Sequence, residues 1–158
     1  MTTKLFITAE QVKNTTAISG GTDSDSIEQK IYYAQITDIL RVLGQSLYDK
    51  IYNDLDTNTP LAGEYKTIFE KYIIDMHVFF TAYHFVSFNE VKSSNVGNTI
   101  LTSDRWQPTT KTVELSEKYK SLAISVESNF RTYMENSTLT EWNYYKKDEE
   151  TTNFNDFY

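Results

Sequence analysis

His77 and His84 are the only histidines in the chain, and they stand seven positions apart in a long apolar segment. On one helix that spacing separates them by about 10.5 Å along the axis. One metal ion cannot take both unless the helix breaks between them. A helical metal site also needs a carboxylate or a second His three or four positions away. Around His77 those positions hold Ile73, Ile74, Phe80 and Thr81, and around His84 they hold Phe80, Thr81, Ser87 and Phe88. The Glu-x-x-His pattern of di-iron bundles is absent. Both are read as packed or hydrogen-bonded core histidines.

Calcium chemistry has one candidate loop. Asp54, Asp56 and Asn58 take the first, third and fifth places of an EF-hand. However, Thr59 stands where the loop needs Gly, and Tyr65 stands where a bidentate Glu closes the site. Asp23 and Asp25 fail sooner, because Ile27 takes the fifth place. Both acidic clusters are read as helix caps and solvated turns. Glu149 and Glu150 are neighbours in a polar segment where nothing excludes water. No Gly-rich phosphate loop and no G-x-S-x-G elbow is present. The chain has no Cys, hence no thiolate nucleophile, disulfide or Cys-ligated zinc, which suits a reducing compartment. With no convergent set of catalytic groups, the expectation is a protein that is not an enzyme and needs no cofactor or metal.

The elements around these residues have clear helical spacing. Thr8 with Gln11 reads as a capping box for a short helix near 8–15, after a possible short strand at Lys4–Ile7. Gly20-Gly21 breaks the chain. Asp25 with Glu28 makes a second box-like start. Ile27, Ile31 and Ala34 then mark one stripe, which Asp38 ends, and Tyr32, Ile36, Ile39, Leu40 and Leu43 mark another. Gly44 is a stop or kink. Ser46 with Asp49 restarts the pattern through Leu55. Thr59-Pro60 looks like the start of a helix that runs to about Val91. From Tyr72 to Phe88 that helix is apolar nearly all round. Asp75, His77 and His84 interrupt it before about 18 uncharged residues accumulate, so a buried central helix is expected and not a membrane span. Val113 to about Asn136 repeats Leu115, Tyr119, Leu122, Val126, Phe130 and Tyr133 every three or four residues. Thr138 with Glu141 suggests a last short helix through Lys147.

The 158 residues suggest one domain with a real core. The fold expected is mainly α: a bundle of about four substantial helices over residues 1–147. A long loop or small β-hairpin at about 92–112 precedes the last long helix, and an extended tail follows at 148–158. The formal net charge of −7 argues against phosphate-backbone binding, which needs clustered Lys and Arg. The N-terminal residues carry no apolar run of signal-peptide length. Aromatic content is high at 15%, with twelve Tyr and nine Phe. Aromatics and Arg are enriched at protein contacts. The contact candidates are therefore Val96, Asn98, Ile100, Arg105 and Trp106 in the loop, and Trp142, Tyr144, Tyr145, Phe154, Phe157 and Tyr158 after the last long helix. For Trp106 and Trp142, packing on the domain's own core is the competing reading.

The stretch "LFITAEQVKNTTAISGGTDSDSIEQKIYYAQITDILRVLGQSLYDKIYNDL" sets a short capped helix before an acidic turn. A helix follows with Ile31, Ala34 and Gln35, ending in Leu43-Gly44 and Leu47-Tyr48. The second half adds a long helix, a polar loop with "NVGNT" and the closing helix "ELSEKYKSLAISVESNFRTYMEN". Over residues 4–136 this pattern resembles the head–tail connector, or adaptor, proteins of tailed bacteriophages, and most of all the ring proteins of crAss-like phages. The landmarks are diffuse and form no enzyme signature. The resemblance implies a structural virion protein of the neck region, assembled in the host cytoplasm. It implies a homo-oligomeric ring, a dodecamer in such proteins, that binds the portal on one side and another ring or tail protein on the other. DNA would only pass through the channel, and an acidic lumen would not hold it. No membrane contact is implied. A small helical protein-binding or regulatory module outside a virion is the alternative.

Overall fold

The computed structural model describes residues 3–93 and 110–142. The protein is mainly α, and no strand occurs among the described residues. Helix α1 (Ala9–Thr15) starts where the capping box places it. The Gln11 N–H donates to Thr8 Oγ1 at 3.2 Å, and the Thr8 N–H donates to Gln11 Oε1 at 2.8 Å. The expected strand at Lys4–Ile7 is an irregular segment instead. A side chain and not a strand partner satisfies its backbone. The Phe6 N–H donates to Gln35 Oε1 at 2.8 Å, and Gln35 Nε2 donates to Lys4 O at 3.0 Å and to Tyr48 Oη at 3.1 Å. Gln35 is fully buried, so these bonds replace all the water it gave up.

Helix α2 (Ser24–Ala34) is capped by Asp23, whose carboxylate accepts from the Ser26 N–H at 3.0 Å, and not by an Asp25–Glu28 box. That backbone hydrogen bond holds the Asp23 carboxyl below its usual range. The helix continues without a break through a π-helical turn (Gln35–Ile39) into α3 (Leu40–Leu43). The π turn brings the later part of the second apolar stripe into line with the first, while Tyr32 and Ile36 of that stripe stay exposed. On an uninterrupted α-helix, Ile39, Val42 and Leu43 would sit about 100° around the axis from Ile27, Ile31 and Ala34. The extra residue of the π turn takes up that offset. All six side chains are fully buried. Gly44, at φ 73°, then turns the chain sharply, as only Gly does easily, into α4 (Gln45–Asp56).

The same device recurs in the central rod: α5 (Gly63–Ile68), a second π turn (Phe69–Ile73) and α6 (Ile74–Ser93). Its extra residue brings Ile73, Met76 and Phe80 into line with Ile68, and all four are buried. The rod starts after Ala62, not at Thr59-Pro60. Asn58 (φ 54°) and Gly63 (φ 57°) both turn left-handed, and the Thr59 N–H reaches back to Asp54 O at 2.7 Å to close α4. Helix α6 is the expected central helix, packed by α1, α2 and α7 (Thr110–Met134). One core gathers α3, α4 and the far half of α7 around Met76 and Phe80. The other gathers α1 and α2 around Val78, Ala82 and Phe85. No helix among the described residues is long and apolar enough to cross a membrane.

Beyond α7, Ser137 Oγ accepts from the Leu139 N–H at 3.1 Å, and a helical turn begins at Thr140. That bond makes a local turn ahead of the helix and is not the Thr138–Glu141 cap expected there. Most of the expected loop or hairpin at 92–112 and the tail at 148–158 lie outside the described residues.

Candidate interaction surface

Helix α6 turns His77, Thr81, His84 and Phe88 along one face, in steps of three and four residues. His77 Nε2 lies 2.9 Å from Ile31 O on α2. A carbonyl only accepts, so Nε2 carries the hydrogen. Burial holds the His77 imidazole down at about 4, despite that hydrogen bond, and it is neutral at pH 7. His77 Nδ1 and Thr81 Oγ1 are buried without a partner among the described residues.

One turn further, His84 Nε2 donates to Asp38 Oδ2 at 2.7 Å. Asp38 lies in the first π turn. No carboxylate sits three or four positions from His84 on its own helix, so the pairing comes from a residue 46 positions away. The break that Asp38 makes in the apolar stripe of α2 was its only trace in the sequence. A single carboxylate and a single imidazole do not make a metal site. No group of three metal-ligating side chains occurs among the described residues. The calcium candidate has an ordinary explanation: Lys50 Nζ holds both Asp54 oxygens at 2.7 and 2.8 Å, and Asn58 forms the left-handed turn after α4.

Above the His84–Asp38 pair the surface is aromatic. The Tyr33 ring meets His84 edge-on at 4.8 Å and Phe88 at 5.9 Å, and Tyr83 lies 4.9 Å from His84. Tyr33 is 41% exposed and Phe88 42%, so two adjoining rings reach the solvent. Two cations border them: Lys30 Nζ lies 4.3 Å from the Phe88 centroid and Lys120 Nζ 5.5 Å from that of Tyr83. Phe88 is five residues from Ser93, where α6 leaves the described structure. The patch therefore lies near the bundle end where residues 94–109 join α6 to α7.

Trp142, expected among the contact residues, is a core residue. It is 3% exposed and packs edge-on against Phe130 at 5.5 Å. Burying an indole there gains more than leaving it at the surface. Val96, Asn98, Ile100, Arg105, Trp106, Tyr144, Tyr145, Phe154, Phe157 and Tyr158 lie outside the described residues. Sequence reasoning missed Tyr33, which belongs to neither stripe, and Phe88, which only closed the run that reads as apolar nearly all round.

A family model described as a family of unknown function (DUF6712) matches residues 39–152, most of the chain. The chain belongs to the DUF6712 family. No curated protein and no solved structure matches it. The matched span of this DUF6712 chain starts inside the first π turn and includes α4, the central rod with His77, His84 and Phe88, and α7. It also takes in Leu139 and Trp142.

Proposed function

We propose that this protein is a structural assembly subunit: a head–tail connector that forms a ring between the portal and the tail of a phage virion. In that role it extends the DNA channel and docks the next connector or tail component. The observation that carries an assembly role is the exposed Tyr33–His84–Phe88 patch near the junction with residues 94–109. Exposed rings of this size, backed by a rigid helix pair, suit a protein contact. The ring, portal and channel rest on the resemblance of residues 4–136 to phage connectors. The formal charge of −7 is compatible with a lumen that lets DNA pass.

Light scattering after size-exclusion chromatography, alone and with the portal, tests the reading. The expected outcome is a small species alone and a ring on the portal, visible by electron microscopy. A lone monomer that ignores the portal at every concentration overturns it. The same patch would also suit a helical module that binds a peptide outside a virion. Two rings, each about two-fifths exposed, leave far less than the ~800 Å² per partner of a standard interface. Capture of a non-virion peptide with no portal binding would favour that module.

A further inference from the structure

The Tyr33–His84–Phe88 patch has a chemistry of its own in an acidic protein. Its rings are apolar, and Lys30 and Lys120 stand at its border. Asp38, the carboxylate beneath it, is held by His84. Such a surface fits a short acidic segment with aromatic anchors: the rings stack, and the carboxylates meet the lysines. Its small area fits a segment better than a whole subunit face.

The chain carries one segment of that description. Residues 148–158, "DEETTNFNDFY", hold Asp148, Glu149, Glu150 and Asp156, no Lys or Arg, and the rings of Phe154, Phe157 and Tyr158. We propose that the Tyr33–His84–Phe88 patch of one copy receives residues 148–158 of a second copy. This rests on the assembly reading above and names the contact that links neighbours.

The position of Trp142 sets the segment's starting point away from its own patch. Trp142 is fixed against Phe130, which packs on Tyr72 at 6.0 Å. Tyr72 and Phe88 are sixteen positions apart along the central rod, about 24 Å. The described chain thus ends at Trp142, nearer the Tyr72 part of the rod than the patch. The segment's own patch lies about 24 Å away along the rod, within reach of an extended chain of this length, so the test must tell the two copies apart. A neighbour set head to tail presents its patch at that end, and contacts of that kind close a ring when the rotation between copies allows it.

The test uses the full chain, with a photo-crosslinking amino acid at Phe157. Isotopically light and heavy protein are mixed, both concentrated in solution and assembled on the portal. Mass spectrometry then locates the crosslinks. The expected product joins position 157 of one isotope to the Tyr33 or Phe88 peptide of the other. Lys30→Glu, at a half-buried position, and Phe88→Ser, at an exposed one, should each lower its yield about tenfold. Crosslinks confined to one isotope, to other surfaces, or insensitive to both substitutions overturn the proposal. If they do so while rings still form on the portal, the assembly reading stands and only this contact fails. If no ring forms at all, the assembly reading fails with it.

Discussion

His77 shows how one buried side chain can set a pH dependence. The free imidazole titrates near 6.5, and in the fold burial lowers it to about 4. Between those values the unfolded chain binds a proton that the folded chain refuses. Stability is therefore level above about pH 6.5 and declines as the pH falls towards 4, by roughly 3 kcal/mol in all. His77→Gln, which keeps a donor for Ile31 O, should remove that slope in urea melts at pH 7 and pH 4.5. Glu127 acts lower on the scale. Burial alone would raise its carboxyl, but Arg41 at 2.9 and 3.1 Å and Arg131 at 3.2 Å outweigh this and hold it below its usual range. Its contribution is present above about pH 4.5 and lost below, so the two windows overlap only at the acid end of the first. Gln35→Ala should cost about 1–3 kcal/mol, because it strands the buried Phe6 N–H and takes the partner of the part-buried Lys4 O. Urea denaturation with hydrogen exchange at residues 4–7 checks that loss. At this scale the sequence is legible where neighbours in the chain decide. His77 lies in an apolar run and reads as core. The Asp38–His84 pair was hidden because its partners are far apart in sequence and meet only through folding.

Helices were legible from their spacing, and so was the problem that the π turns solve. Two apolar stripes out of phase over Ile27–Leu43 are what one inserted residue leaves in an amphipathic pattern. Periodicity alone cannot say whether such a helix kinks, breaks or bulges, because each outcome restores burial at a different cost. Here it bulges, keeping the rod continuous and setting Asp38 against His84. Removing exposed Thr37 from the turn should let the rod close into a regular α-helix with both stripes still aligned. Removing exposed Gln29, before the turn, should swing Ile27 about 100° off the core. The deletion of Thr37 should therefore cost several-fold less stability than that of Gln29, with cooperative unfolding kept. Circular dichroism melts of the two variants give the comparison, and equal losses would show that the π turn does not act as a register splice. Helix starts were less legible. Thr59-Pro60 is a good start on paper, but Asn58 and Gly63 fix the turn, and their left-handed backbone is not visible in residue types alone.

At the scale of the whole molecule, Trp142 shows that the folded core extends past α7. The sequence left it open whether this ring faces a partner or the core, because a Trp near the end of a helical pattern suits both. The structure buries it against Phe130, beside Leu139, and the Tyr65 hydroxyl reaches Glu141 Oε2 at 2.8 Å. Burial and that hydrogen bond to a carboxylate push the Tyr65 phenol up to about 12. The last turn is therefore part of the core, although it follows α7 through a polar bend. Two truncations separate the roles. A chain shortened to residues 1–147 keeps Leu139, Glu141 and Trp142, so its urea midpoint should match that of the full chain. A chain shortened to residues 1–136 loses them and uncovers Phe130, which should cost on the order of 3–5 kcal/mol. Docking on the portal and on further copies should already weaken in the first, since the acidic aromatic segment is gone while the domain is intact. If residues 1–147 melt early, the segment after Trp142 belongs to the fold. If they melt normally and dock as well as the full chain, the contact lies elsewhere.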